Sequence, residues 1–194
     1  MSARTVAILV IAVVLAGCSS GTPATTTAGV DAVAAEMASA VAGGADPAQI
    51  ALFADGVIDY TDYESATNNF ASCAKDAGLT VTIGGTSVSQ GVTLLQYSVK
   101  IPAGKNRDLV DACYDKNLKF VDMYWQTESP DAIAYSDRRA VALKPQLQEC
   151  LKGYNVDFPD DASFDDLINY SNKHMTEIDT ENCMHDIGFM SWQG

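Results

Sequence analysis

Four cysteines between residues 73 and 183 restrict how this chain can fold more than any other feature of its sequence. Three of them, Cys73, Cys150 and Cys183, have a Gly or Asn five residues later and an apolar residue six residues later. Around Cys113 the same pattern is one residue shorter. This arrangement is typical of a helix that ends just after the cysteine, with Gly or Asn in the left-handed position that follows a helix. We therefore predict that all four cysteines lie near the ends of helices.

The first 18 residues have the features of a bacterial export signal. Arg4 is their only charged side chain, and an apolar run of 12 residues follows at positions 6–17. In a helix this run would reach about 18 Å, which is too short for the roughly 30 Å hydrocarbon core of a bilayer. Such a length is typical of a signal peptide, not of a membrane-spanning helix. The run ends in a segment that resembles the lipobox of bacterial lipoproteins, Leu15-Ala16-Gly17-Cys18.

The lipobox resemblance implies where the mature protein would begin and where it would be found. Residues 1–17 would be a signal peptide, and cleavage would make Cys18 the first residue. A diacylglyceryl group on the Cys18 sulfur would anchor the chain in the lipid bilayer, at the extracytoplasmic face of the bacterial cell membrane. Residues 18–29 have neither charge nor a large apolar side chain, which predicts a flexible tether. An uncleaved helix, or an ordinary signal peptide with an incidental cysteine, is the alternative.

Export would place the other four cysteines in an oxidising environment, where an even number of cysteines indicates disulfide bonds. Four cysteines allow three pairings, and the sequence leaves all three open. Cys73 and Cys113 are 40 residues apart, and Cys150 and Cys183 are 33 residues apart. A duplicated unit in which each half holds its own bridge favours these two pairs. Coincidental spacing in a cysteine-poor α+β domain is the alternative.

The remaining pattern predicts an α+β fold, a small disulfide-bridged domain of two duplicated helix–extended–helix halves. The first half, residues 30–125, would contain helices and a β-hairpin, and the second half, residues 126–194, would be mainly helical. Helices are predicted at 30–42, 46–53, 61–77, 106–116, 137–152 and 177–187, with one more starting at a capping box of Ser163 and Asp166. Strands at 79–83 and 92–101 would enclose a turn at 84–87, and 118–125 would be extended. A polar linker is predicted at 126–131, and the helix at 137–152 is expected to be interrupted near Pro145.

The chain is strongly acidic, with 25 Asp and Glu against 12 Lys and Arg and a net charge of −13. Removal of residues 1–17 would take away Arg4 and leave −14. A surface this acidic is repelled by phosphate backbones and by anionic head groups, so we expect no nucleic-acid partner. Contact with the bilayer is therefore expected through the lipid. Solubility alone also explains the acidity.

The sequence contains no recognisable catalytic, cofactor or metal motif. Cys183, His185 and His174 are residue types that bind zinc, but Cys183 is expected to be oxidised. The acids at 160–161 and 165–166 lack the central Gly and final Glu of an EF-hand, and acids at a helix N-terminus are stabilised without a metal. Ser72 and Lys75 match the S-x-x-K pattern of penicillin-binding proteins, whose other motifs are missing. We therefore predict no cofactor, no metal site and no catalytic residue.

Aromatic residues are the best candidates for a binding surface. Tyr124 and Trp125 are adjacent, and Tyr97, Tyr135 and Trp192 could join them. Aromatic side chains with a polar group are enriched where proteins bind partners or ligands. Such residues also close hydrophobic cores, and this alternative stays open.

The sequence therefore favours a non-catalytic lipoprotein of the cell envelope that binds an unknown envelope protein, a glycan or a small molecule. A defence lipoprotein of the surface-exclusion type, including one encoded by a bacteriophage, fits the same features. An envelope enzyme that uses two carboxylates is a third possibility, because 25 acidic residues make close pairs inevitable. A pocket with two carboxylates of perturbed pKa would favour the enzyme.

Overall fold

A computed structural model describes residues 27–174 and 181–189, and over these residues the chain forms helices around one antiparallel β-hairpin. In chain order the elements are α1 Thr27–Ala42, α2 Pro47–Ala51, α3 Tyr60–Asp76, β1 Thr80–Ser89, β2 Val92–Lys100, α4 Asp108–Asn117, α5 Lys119–Thr127, α6 Pro130–Gly153, α7 Phe164–His174 and α8 Glu181–Asp186. This combination confirms the predicted α+β fold. The predicted signal peptide and Cys18 lie outside the described residues. Because α1 begins at Thr27, the last residues of the predicted tether are helical.

Aspartates set the starts of two helices in the first half. At α2, Asp46 accepts a hydrogen bond from the Ala48 amide at 2.9 Å, and Pro47 occupies the first helical position, as the sequence predicted. At α3, Asp59 and Asp62 form a reciprocal capping box, so this helix begins at Tyr60, one residue before the predicted start. In each case a carboxylate satisfies amides that have no partner within the helix.

The β-hairpin turns at a different place from the one predicted. Gln90 and Gly91 connect β1 to β2, with φ angles of 49° and 79°. Two positive φ angles in a two-residue loop match the twist of antiparallel strands. The predicted turn at 84–87 instead lies within β1, where the pairing with β2 is irregular between Ile83 and Thr86. The glycines there allow a bulge within a continuing strand, so they do not end it.

The first hydrophobic core lies among α1 to α5 and the hairpin. Its most deeply buried large side chains come from different elements and include Phe53, Phe70, Leu118 and Val121. Trp125 is buried as well, and its indole stacks on the Tyr63 ring with centroids 5.8 Å apart. Large aromatic side chains supply much of the apolar area that such a core removes from water.

The buried side chain of Gln49 connects the end of α4 to the start of α5. Its Nε2 donates to the carbonyl oxygen of Lys116 at 2.7 Å, and its Oε1 accepts from the amide of Phe120 at 2.9 Å. Gln49 is completely buried. One amide group thus satisfies backbone groups that the two helix ends leave without intrahelical partners.

The prediction that residues 118–125 are extended was wrong, because this segment forms most of α5. Leu118, Val121 and Trp125 are all buried, and their spacing of three and four residues is that of one helical face. Phe120 and Tyr124 are buried too, so the segment is apolar on more than one side. A short apolar run of this kind does not distinguish a buried helix from a buried strand.

The second hydrophobic core is separate and smaller, and it lies among α6, α7 and α8. Leu147, Leu151 and Leu167 are completely buried in it. The start of α7 has the predicted capping box, in which the Asp166 amide donates to Ser163 Oγ at 3.0 Å and Ser163 Oγ donates to Asp166 Oδ2 at 2.7 Å. The predicted last helix is present as α8 from Glu181, and the earlier part of that prediction lies outside the described residues.

The predicted linker at 126–131 and the predicted start of the next helix were also wrong. α5 continues to Thr127 and α6 begins at Pro130, so only Glu128 and Ser129 separate the two helices. Ser129 accepts a hydrogen bond from the Ala132 amide at 3.3 Å, and Pro130 needs no amide partner at the first helical position. α6 also continues through Pro145 without the expected interruption.

One disulfide bond joins two helices within each core. Cys73 of α3 is bonded to Cys113 of α4, and Cys150 of α6 is bonded to Cys183 of α8. The pairing favoured from the sequence is therefore confirmed. Over the residues that the structure describes, none of the helices combines the length and the apolarity needed to cross a bilayer.

Removal of the second disulfide should destabilise the second core selectively. For Cys150→Ala with Cys183→Ala, we expect α7 to lose about 3–4 kcal/mol of protection, because the open loop restores entropy to the unfolded chain. The larger first core should keep its protection. Native-state amide hydrogen exchange of α7 and α3 measures both quantities.

The matched control is the removal of the other bridge, Cys73→Ala with Cys113→Ala, which should reverse the pattern. Equal loss of protection in α3 and α7 for either variant would contradict two separately stabilised cores.

Candidate binding cleft beside helix α6

A cleft of about 280 Å³ lies where the two cores meet. Its walls come from the hairpin turn and the end of α5 on one side, and from α6, the start of α7 and the segment after α8 on the other. The described residues that line it are Gln90, Gln126, Thr127, Ala132, Tyr135, Ser136, Arg139, Ala140, Phe164, Asp165 and Phe189. Six of these residues are polar or charged, so the cleft is more polar than most small-molecule sites, and its volume is just below their usual lower limit of about 300 Å³.

Gly91 allows the hairpin turn to approach α6 closely at one edge of the cleft. A Cβ atom added at Gly91 would lie 2.9 Å from Tyr135 Cβ and 3.4 Å from the carbonyl oxygen of Asp131. Its φ of 79° is in the left-handed region as well. The position therefore favours glycine for two independent reasons, and the contact fixes the turn against Tyr135.

Arg139 holds the segment after α8 at the opposite edge. Its Nη2 donates to the carbonyl oxygens of Gly188 at 2.6 Å and of Phe189 at 3.0 Å. The guanidinium lies 5.1 Å from the centre of the Phe189 ring, a distance at which a cation and an aromatic face attract. The Phe189 ring in turn meets the ring of Phe164 edge-on at 5.2 Å. These contacts connect α6, α7 and the last described residues.

A hydrogen-bonded group beneath the cleft orients Gln126. Asp122 accepts from Gln126 Nε2 at 2.7 Å through one oxygen and from the Tyr114 hydroxyl at 2.8 Å through the other. Burial, together with the charge of Asp122, raises the pKa of Tyr114. Burial likewise raises the pKa of Tyr63 to about 12, again with a contribution from Asp122. Both tyrosines therefore stay protonated at physiological pH.

The structure places the aromatic candidates from the sequence mainly in the first core. Tyr124 and Trp125 are only 6% and 7% exposed, and Trp125 Nε1 donates to the carbonyl oxygen of Thr93 at 2.9 Å. Their burial favours a packing role over the binding role considered for them. Tyr97 lies on the hairpin against Phe70, away from the cleft, with ring centroids 5.1 Å apart.

Tyr135 is the one aromatic candidate among the described residues that lines the cleft, and Trp192 lies outside those residues. Sequence reasoning assigned neither Arg139 nor Phe189 to a site, and it considered Asp165 only as a calcium ligand. No local pattern identifies these residues, because they come together only through the packing of α6, α7 and the chain after α8.

Cys183 and Asp166, which were among the zinc and calcium candidates, have structural roles here. Cys183 is in a disulfide and has no thiolate to offer a metal. Over the described ranges, no group of three His, Cys, Asp or Glu residues is arranged to hold a metal ion. The carboxylate of Asp166 accepts from the side chain and the amide of Ser163, and these hydrogen bonds lower its pKa. Ser72 and Lys75 are exposed on α3, outside the cleft.

A pair of carboxylates lies elsewhere, between α1 and α5. Glu36 Oε1 is buried without a hydrogen-bond partner among the described residues. Burial raises the pKa of Glu36, and the negative charge of Glu128 raises it further. Neither side chain lines the cleft, so this pair belongs to the packing of α1 and contributes no acid or base to the site.

No protein-family model, curated protein or solved structure matches this chain.

Gly91→Ala should destabilise the protein more than a substitution that introduces backbone strain alone. Gly104 has a matching φ of 82° and open space around it, so Gly104→Ala should cost about 1–2 kcal/mol. Gly91→Ala should cost about 1–3 kcal/mol more, because the added methyl group meets Tyr135. Urea unfolding measures the difference, and equal losses would contradict the close contact of the turn with α6.

Glu36→Gln should stabilise the protein at neutral pH. Because the folded state raises the pKa of Glu36 above its ordinary 4.5, protonation favours folding, and stability falls as the pH rises through the raised pKa. The variant cannot ionise, so its gain in Tm should be largest near pH 7 and should disappear below about pH 4. Thermal unfolding from pH 3 to pH 8 measures this, with Glu64→Gln on the exposed side of α3 as the control. A pH-independent difference would contradict the burial of the Glu36 carboxyl.

Proposed function

We propose that this chain is a lipid-anchored protein of the extracytoplasmic face of a bacterial membrane, and that it binds a small ligand in the cleft beside α6 without catalysing a reaction. Two observations support the location. Residues 15–18 resemble a lipobox, and the two disulfides fit an oxidising compartment.

The observation that carries the binding function is the construction of the cleft. Five separate parts of the chain meet there, and specific contacts hold three of these parts in place. Gly91 packs on Tyr135, Asp122 orients Gln126, and Arg139 holds the segment that contains Phe189. A cleft whose walls are fixed before binding loses little conformational entropy when a ligand enters.

The composition of the cleft favours binding over catalysis. Among its described lining residues Asp165 is the single carboxylate, and no His or Cys is present. Glycoside hydrolysis generally uses two carboxylates, and nucleophilic catalysis needs a nucleophile beside a base. Glu36, whose pKa is raised by burial and by the charge of Glu128, lies outside the cleft.

Occupation of the cleft by a bulky side chain should abolish ligand binding. We expect Ser136→Trp to fill the cleft, because Ser136 lines it and is exposed. Val141→Trp is the control, because Val141 lies on the same helix, is 76% exposed and does not line the cleft. Saturation-transfer NMR on the lipidated protein in nanodiscs, with empty nanodiscs as the blank, measures binding of N-acetylglucosamine, diglycine, benzamide and octanoate.

At least one of these four probes should give a signal that Ser136→Trp removes and Val141→Trp keeps. No signal from any probe, or a signal that both variants keep, would overturn the binding function.

The anchor requires its own test. In a bacterium that matures lipoproteins, Cys18→Ser should lose both incorporation of an alkyne-labelled fatty acid and sedimentation with membranes, because no thiol remains to carry the lipid. Ser19→Ala is the matched control and should keep both. Full labelling of Cys18→Ser would show that the lipid is attached elsewhere.

A further inference from the structure

The polar side chains of the cleft suit a ligand that both donates and accepts hydrogen bonds. Gln90 and Gln126 each offer a carbonyl oxygen and an N–H group, Ser136 offers a hydroxyl, and Asp165 offers a carboxylate. Thr127 offers its hydroxyl oxygen as an acceptor, because its proton is donated to the Met123 carbonyl oxygen. These five side chains are exposed. Hydroxyl groups are the complementary chemistry, because each can donate to Asp165 or an amide oxygen and accept from an amide nitrogen.

The cleft also offers an apolar surface for one face of a ring. Tyr135 is half-buried, and the hairpin turn lies so close to it that a Cβ atom added at Gly91 would be 2.9 Å from Tyr135 Cβ. Ala132 and Ala140, which line the cleft on the same helix, have small side chains that leave space beside Tyr135. A flat ligand can therefore approach Tyr135, whose ring gains from covering an apolar face.

Charge disfavours anionic ligands. Arg139 is the single cation among the described lining residues, and its Nη2 already donates to two backbone carbonyls. The chain as a whole carries a net charge of −13, so an anionic ligand would be repelled on approach. A long apolar ligand would leave the amides and hydroxyls of the cleft without partners, which is costly.

From these observations we infer that the ligand of the cleft is a neutral sugar ring, which stacks its C–H face on Tyr135 and directs its hydroxyls to the amides and to Asp165. This inference rests on the proposed binding function and specifies its ligand class. The volume of about 280 Å³ suits one sugar ring of a glycan better than a long chain.

The test compares ligand classes and removes the stacking surface. Methyl β-glucopyranoside and glucuronate join N-acetylglucosamine, diglycine and octanoate as probes of the lipidated protein in nanodiscs. Tyr135→Ala removes the ring but keeps the Cβ against which Gly91 packs, and Tyr135→Phe keeps the ring. We expect the neutral sugars to bind, Tyr135→Ala to weaken their Kd at least about fivefold, and Tyr135→Phe to stay within about threefold.

The outcomes distinguish a failure of the sugar ligand from a failure of the proposed binding function. Binding of diglycine or octanoate that Ser136→Trp removes, without binding of the neutral sugars, would overturn the sugar ligand and leave the binding function standing. Tighter binding of glucuronate than of methyl β-glucopyranoside, or sugar binding that Tyr135→Ala leaves unchanged, would also overturn it. Absence of binding by every probe would overturn both.

Discussion

Each of the two disulfide bonds fastens one hydrophobic core, and the arrangement of the molecule depends on this separation. Cys73–Cys113 joins α3 to α4, and Cys150–Cys183 joins α6 to α8. A small core gains most from such a bond, because the unfolded chain loses conformational freedom without any addition of apolar surface. The second core has few large buried side chains, so its bridge matters more to it. The cleft beside α6 lies where these two disulfide-bonded cores meet.

Hydrogen bonds at the helix ends explain the position of the α5 wall of the cleft. Gln49 satisfies the end of α4 and the start of α5 with one buried amide, which fixes the direction of α5. That direction stacks Trp125 on Tyr63 and brings the end of α5 beside the hairpin turn. The serine cap of α6 then allows this helix to begin only two residues after α5 ends. The positions of Gln126 and Thr127 in the cleft follow from these two helix ends.

The sequence predicted the parts of the fold that have local chemical signals. The repeated surroundings of the cysteines gave the correct pairing, and Asp46-Pro47 and Ser163 with Asp166 marked helix starts correctly. The segment at 118–125 was mistaken for a strand, because its helical conformation depends on Gln49, about 70 residues earlier in the chain. The cleft could not be predicted, because its residues are scattered from the hairpin turn to Phe189 and meet only in the folded chain. Tyr135 was named among the aromatic candidates and Asp165 among the calcium candidates, whereas the other residues of the cleft gave no signal.

Export, oxidation and anchoring together form the central claim, and one measurement on the protein purified from bacterial membranes under non-reducing conditions addresses all three. Mass spectrometry of the intact chain and of its proteolytic peptides should find a diacylglyceryl-modified Cys18 at the amino terminus and two linked peptide pairs, with no free thiol. An unmodified amino terminus at another residue, free cysteines or a crossed pair such as Cys73 with Cys150 would contradict the account.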